Sequence, residues 1–184
     1  MNPMTRAVLP VVLVLASGRG ERFRASGGGT HKLQALLGDK TVLQHTLAAV
    51  RASGLPWHLE DAAHPGMGDS IAAAVRVTSA APGWLILPGD PPLIQPDTLR
   101  TLAQALSGSE VVLPVYRGQR GHPVGFCAGC RDALLQCQGD QGAASVVRGH
   151  AVTRISIDDI GCVTDIDTLE DLRAVAARLG LVAG

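Results

Sequence analysis

Aromatic side chains are scarce in this chain: two Trp, two Phe and one Tyr make up 3% of its 184 residues. So few rings leave almost no platforms on which the bases of a single-stranded nucleic acid could stack. An excess of either charge is also missing, because sixteen basic side chains face sixteen acidic ones. A balanced chain has no bulk attraction to nucleic acid or to an anionic membrane surface. Long apolar runs are absent too, and none approaches the ~18 residues of a spanning helix. Cysteines are present but poorly arranged for chemistry. Cys127 and Cys130 form a CxxC in "FCAGC", yet Cys137 and Cys162 supply no second pair at metal spacing. Small, partly buried thiols in a reducing, cytoplasmic compartment are the simpler reading.

What is there belongs to an ordinary globular protein, 46% hydrophobic and 17% charged. The length fits a single domain over 1–184 with a substantial core. Near the start, Arg6 and the apolar stretch leading into "ASG" share the outline of a secretory signal. The run is short, however, and it contains Pro10 and is rich in the β-branched residues of a buried strand. The expectation is an uncleaved first strand over 11–15.

Downstream, apolar strands alternate with amphipathic helices. Helices are predicted over 41–53, 70–80, 96–107 and 168–179, with shorter pieces near 131–138 and 142–149. Gly54 stops the first of these, and Thr168 and Asp171 have capping-box spacing at the start of the last, with Leu169, Leu172, Ala176 and Leu179 inward. Strands are predicted over 84–87, 110–116, 123–127 and 153–157, with a short one near 57–59. This alternation argues an α/β fold: a three-layer, Rossmann-like α/β/α sandwich around a mostly parallel sheet. Ligands in such sheets bind beyond the carboxyl ends of the strands. Residues 18–32, Asp90, Asp165 and Asp167 all fall there.

The stretch after the first strand, "LASGRGERFRASGGGTHKL" (15–33), carries five glycines, three arginines and a lysine. Backbone N–H groups of such a loop can point at phosphate. A dinucleotide fingerprint fails, because Gly18-Arg19-Gly20-Glu21-Arg22 leads into Phe23 where a glycine is needed. A P-loop fails as well, because Lys32 lies between His31 and Leu33. The cations Arg19, Arg22 and Lys32 suit a triphosphate, although a solvated basic turn explains them equally well.

Several elements together resemble a known family. The loop resembles the L-x-x-G-x-G-x-R…K signature of the molybdenum cofactor nucleotidyltransferases, the MobA-like NTP transferases. The cytidylyltransferase branch is the nearer one, with the guanylyltransferase branch beside it. "PGMGDSI" (65–71), "LPGDPPLIQPDTL" (87–99), "RGHPVGF" (120–126), "GDQGA" (139–143) and "DIDTLEDL" (165–172) resemble later elements of that family in the same order. The resemblance spans about 15–172.

It implies attack by an acceptor phosphate, that of molybdopterin, on the α-phosphorus of a nucleoside triphosphate, with Mg²⁺ as cofactor and pyrophosphate leaving. Lys32, Arg22 and Asp90 would be catalytic. Nucleotide would be held by Leu15, Ala16, Ser17, Gly18, Arg19, Gly20, Arg22 and Lys32, by Gly68, Asp69 and Ser70, and by Pro88, Gly89 and Asp90. Ser70 is equally plausible as a helix cap. His122, Pro123 and Asp140 would line the acceptor pocket, a structural turn being the alternative for each. Asp90 would bind metal with Asp165 or Asp167, the choice left open. Ser17 and Gly20 agree better with the cytidylyl branch than with the glycine and serine usual in the guanylyl branch, which implies CTP. A molybdoenzyme or its chaperone would be a partner.

Two departures stand out: the loop between Phe23 and Lys32 is long, and residues 55–65 are short for the family. The alternatives are transfer from GTP, transfer to a sugar or alcohol phosphate, or a non-catalytic cofactor carrier.

Overall fold

The computed structural model describes residues 9–18 and 20–181. Val11–Leu15 forms β1, whose β-branched run is buried along four of its five residues. A single helical turn, α1 (Glu21–Ala25), follows the glycine loop. The short strands β2 (Leu36–Leu37) and β3 (Lys40–Thr41) then pair as a separate hairpin that the sequence pattern did not reveal. Helix α2 (Val42–Ser53) starts at a complete Thr41/Gln44 capping box and ends at Gly54 in the left-handed conformation. Edge strand β4 (Trp57–Glu60) leads to α3 (Met67–Val77), and β5 (Gly83–Pro88) is buried almost throughout. Helix α4 (Pro96–Ala105) has proline in its first turn, where a missing N–H costs nothing. Strand β6 (Val111–Tyr116), β7 (Gln119–Arg120), β8 (Val124–Cys127), α5 (Arg131–Leu135), α6 (Ala144–Arg148), β9 (Val152–Ser156) and α7 (Leu169–Leu179) complete the order.

Strands run β4–β1–β5–β8–β6, with β7 and β9 both paired to β6. The β4–β1, β1–β5 and β6–β9 pairs are parallel, while β8 runs against both of its neighbours. Val12, Val14, Leu85 and Leu87 pack beneath α2 and α4 on one face. Leu13, Trp84, Ile86 and Phe126 pack against α3, α5 and α6 on the other. The sandwich thus has the three layers expected for apolar strands buried on both faces. A third cluster joins Phe23, Leu33 and Ile166 to Leu172 and Val175 of α7.

Several boundaries differ from the sequence reading. Helix α3 begins at Met67, three residues before Ser70, with Gly66 rather than Ser70 as its cap. Residues 138–139 approach this first turn so closely that a Cβ on Gly68 would lie 2.5 Å from the Gln138 nitrogen. In α7, Val175 is buried where Leu179 was expected, and Leu179 is 41% exposed. Asp165 and Asp167 lie on an irregular segment rather than a strand. The four cysteines are free thiols; burial first, and the neighbouring Cys127 next, push Cys130 up to about 12, too high for a reactive thiolate.

One buried carboxylate ties the segment after β5 to the segment after β9. Asp159, 3% exposed, accepts from Gln95 N (2.9 Å), Thr98 Oγ1 (2.7 Å) and Gly161 N (2.7 Å). It thereby fastens the segment after β5 to the segment that carries Asp165 and Asp167. Replacing it with Asn sets an amide N–H₂ against these donors. Asp159→Asn should lower unfolding free energy by about 2–4 kcal/mol. Asp158→Asn, at the exposed neighbour, should change it by less than about 0.5 kcal/mol. Urea titration of the two variants checks the contrast.

Candidate active site

The carboxyl ends of β4, β1 and β5 lie side by side and open into a cavity of about 400 Å³. Leu15, Ser17, Gly18 and Gly20 of the glycine loop form its floor, with Pro88, Gly89 and Asp90 on one side. His64 to Met67, Ser70 and Asp140 close the other side.

Lys32 is the centre of its electrostatics. Its Nζ donates to Asp90 Oδ2 at 2.5 Å and to Asp167 Oδ1 at 3.0 Å. Burial alone would lower the lysine pKa, but Asp90 and then Asp167 outweigh it, and the ammonium is held above its ordinary value. Arg22, at the exposed rim, donates from Nη1 to Asp167 Oδ2 at 2.8 Å. Asp90 Oδ1 and Asp165 Oδ1 are buried with no hydrogen-bond partner. Burial, and then the carboxylates of Asp90 and Asp167, push Asp165 up to about 6.

The backbone fixes these groups. Gly89 N donates to Leu15 O (2.9 Å), Thr46 Oγ1 to Gly89 O (3.0 Å), and Ile166 N to Asp90 O (3.1 Å). Ile166 is fully buried beside Leu172, and of its two aspartate neighbours Asp167 lines the cavity while Asp165 does not. The long insertion before Lys32 is tied down at both ends. Leu169 N donates to Ser26 Oγ (3.0 Å), and His31 bridges Leu33 N and the carbonyl of Gly18 through its two ring nitrogens. Gly28 has no room for a side chain, since a Cβ would sit 2.3 Å from the Phe23 ring.

Most of the residues singled out from sequence come together here, but not all. Ser17 and Ser70 meet through their hydroxyls at 2.5 Å, and Asp140 lines the cavity. Arg19 lies outside the described residues. Ala16 points no group into the cavity, and its N–H is taken by Glu60 O at 2.8 Å. Gly68 and Asp69 also fail to line it. Asp69 Oδ2 instead accepts from Gly139 N at 2.9 Å and holds the neighbouring loop. His122 and Pro123 are likewise not part of the wall. His122 is half-buried with its Nδ1 buried and unpartnered, and desolvation lowers its pKa against the pull of the Asp90 charge.

Sequence reasoning missed a further group. Glu60, at the end of β4, accepts from His64 Nε2 (3.0 Å) and His58 Nε2 (3.3 Å). Burial disfavours its charge, yet these two bonds prevail and hold the carboxyl below its usual range. Residues 55–67 read mainly as a connection with a short strand near 57–59, and no motif marks Glu60 or its two histidines.

Among the described residues, no cluster of three or more His, Cys, Asp or Glu has the geometry to hold a metal by itself. Two carboxylates with free oxygens nevertheless suit a hard cation that takes its remaining ligands from phosphate and water.

Residues 48–155, more than half of the chain, match the MobA-like NTP transferase domain. The chain belongs to that family of nucleotidyltransferases. It is 28% identical over 197 residues to a molybdenum cofactor guanylyltransferase of Cupriavidus taiwanensis, covering 90% of this chain and 96% of the relative. Its fold is similar to that of the Mycobacterium sp. strain JC1 homolog of Mycobacterium tuberculosis rv0371c. There the TM-score is 0.76 and the identity 27%, over 92% of this chain and 96% of that one. The manganese complex of Rv0371C from Mycobacterium tuberculosis H37Rv shares the fold at a TM-score of 0.73 and 24% identity, over 92% and 98% of the two chains. No helix among the described residues is long and apolar enough to cross a membrane.

The raised Asp165 pKa predicts a pH-dependent cost. The group ionises near 6 in the fold and near 3.8 when exposed, so the cost is absent below about pH 4 and complete above about pH 6. In the presence of EDTA at pH 8, Asp165→Asn should therefore raise stability by about 1–3 kcal/mol. The gain should fade as pH drops toward 4. Thermal melts of both proteins across that range measure it.

Proposed function

We propose that this protein transfers a nucleotidyl group from a nucleoside triphosphate to the phosphate of a molybdopterin-type acceptor, releasing pyrophosphate. The observation that carries this reading is the half-buried Lys32, held between Asp90 and Asp167 beside the glycine loop. Two polyanions must approach one another for this reaction, so neutralised charge and in-line placement supply most of the rate. Lys32 is a mobile donor that can exchange its carboxylate partners for phosphate oxygens. Arg22 waits at the rim for the outer phosphates, and the Leu15–Gly20 backbone would carry the nucleoside.

A divalent cation, Mg²⁺ in this reading, fits at Asp90 and Asp165, whose Oδ1 atoms are buried without partners. Asp167 is the weaker candidate, because Lys32 and Arg22 engage both of its oxygens. Bound there, the cation would neutralise triphosphate charge. The named metal of the Rv0371C complex is manganese, in keeping with a divalent site in this fold.

Cytidylyl transfer from CTP is the preferred form. Gly20 is left-handed with φ 62°, and a side chain at that position would press on the His31 ring at 3.3 Å. The serine expected of the guanylyl branch is therefore poorly accommodated. Guanylyl transfer is the second reading, because relatives from Cupriavidus taiwanensis and Cupriavidus pinatubonensis, each 28% identical to this chain, are named molybdenum cofactor guanylyltransferases. For the acceptor, Asp140 is the one sequence-selected residue that faces the cavity. A molybdoenzyme or its chaperone would receive the product.

The test is pyrophosphate release with CTP and with GTP, each with and without molybdopterin. Release should need the acceptor and a divalent cation, and should be faster with CTP. Lys32→Ala and Asp90→Asn should each lower kcat/KM by about 100-fold or more. Acceptor-independent release, or full turnover in these variants, would refute the assignment.

A further inference from the structure

His64 is part of the cavity wall, and its orientation is fixed by a buried carboxylate. Glu60 is 8% exposed and ends β4, directly beside Leu15 at the end of β1. Its two carboxylate oxygens accept from His64 Nε2 and His58 Nε2. An ionised carboxylate can only accept, so Nε2 of each ring must carry the hydrogen. In neutral imidazole the remaining nitrogen is then an acceptor with a free lone pair. His64 lines the cavity, and its Nδ1 has no hydrogen-bond partner among the described residues.

Position adds to this. Adjacent strands lie ~4.8 Å apart, so the ends of β4 and β5 are separated by about 10 Å across β1. With phosphates at Lys32 and Asp90, a nucleoside lying along the glycine loop carries its base toward β4 and His64.

We propose that His64, held in one tautomer by Glu60, accepts a hydrogen bond from the amino group of the nucleobase and so selects amino-bearing bases. The inference rests on the nucleotidyltransferase reading and names its base-discriminating residue. The amine is N4 of cytosine or the 2-amino group of guanine, and paired nucleotides distinguish the two. CTP differs from UTP at the first amine, and GTP from ITP at the second.

The experiment measures dissociation constants of the four nucleotides, with Mg²⁺, for the intact protein and for His64→Phe and His64→Gln. The wild type should prefer the amino member of one pair by about tenfold, the worth of one well-placed hydrogen bond. Phe keeps a flat ring for stacking but has no acceptor, so His64→Phe should shrink that preference to about twofold or less. Gln restores an acceptor oxygen, so His64→Gln should retain part of the preference; this arm decides the matter if the Phe variant does not fold.

A preference unchanged in His64→Phe, or lost in His64→Gln as completely as in a folded His64→Phe, overturns the proposal. Equal binding within both wild-type pairs overturns it too and leaves the nucleotidyltransferase reading standing. Failure of all four nucleotides to bind removes both.

Discussion

The ion pair between Lys32 and Asp90 is the interaction around which the site is organised. Neither residue can be buried alone without a large desolvation cost, and each relieves that of the other. Their meeting requires the end of β5 and the end of the long insertion to converge within 2.5 Å. The chain spends many of its local contacts on that convergence. Thr46, Leu15 and Ile166 fix the backbone at Gly89 and Asp90. Ser26 and His31 pin the insertion. Asp167 then shares the lysine and positions Arg22 at the rim.

Charge in the cavity is distributed unevenly along the sheet. At the β5 end, three aspartates surround one lysine and two carboxylate oxygens lack partners. At the β4 end, the single buried carboxylate has two imidazole donors. The first end is suited to cations and phosphates, and the second has settled its own charge and can use neutral hydrogen bonds. This division follows from the strand order β4–β1–β5, which separates the two ends by the glycine loop. Parallel strands bring all three carboxyl ends to one edge.

Much of this was legible from the residues. The β-branched run of β1, the Thr168/Asp171 capping box and the acidic turn after β5 are local signals, and the structure keeps them. The glycine loop and Lys32 were found as ligands without a geometry, and the fold supplied the partners of Lys32. What stayed hidden depends on contacts distant in sequence. The loop seventy positions away that meets Gly66 and Gly68 leaves no mark in the local pattern of α3. Asp159 reads as one more exposed acid until Gln95 and Thr98 are seen to surround it. Likewise, the extra glycines before Lys32 make sense only when Gly28 is found against Phe23.

The first turn of α3 touches both halves of the cavity. Ser70 bonds to Ser17 on the nucleotide loop, while Asp69 holds Gly139 beside Asp140. These adjacent residues belong to one helical turn, so a single element holds both the Ser17 side of the cavity and the loop that carries Asp140.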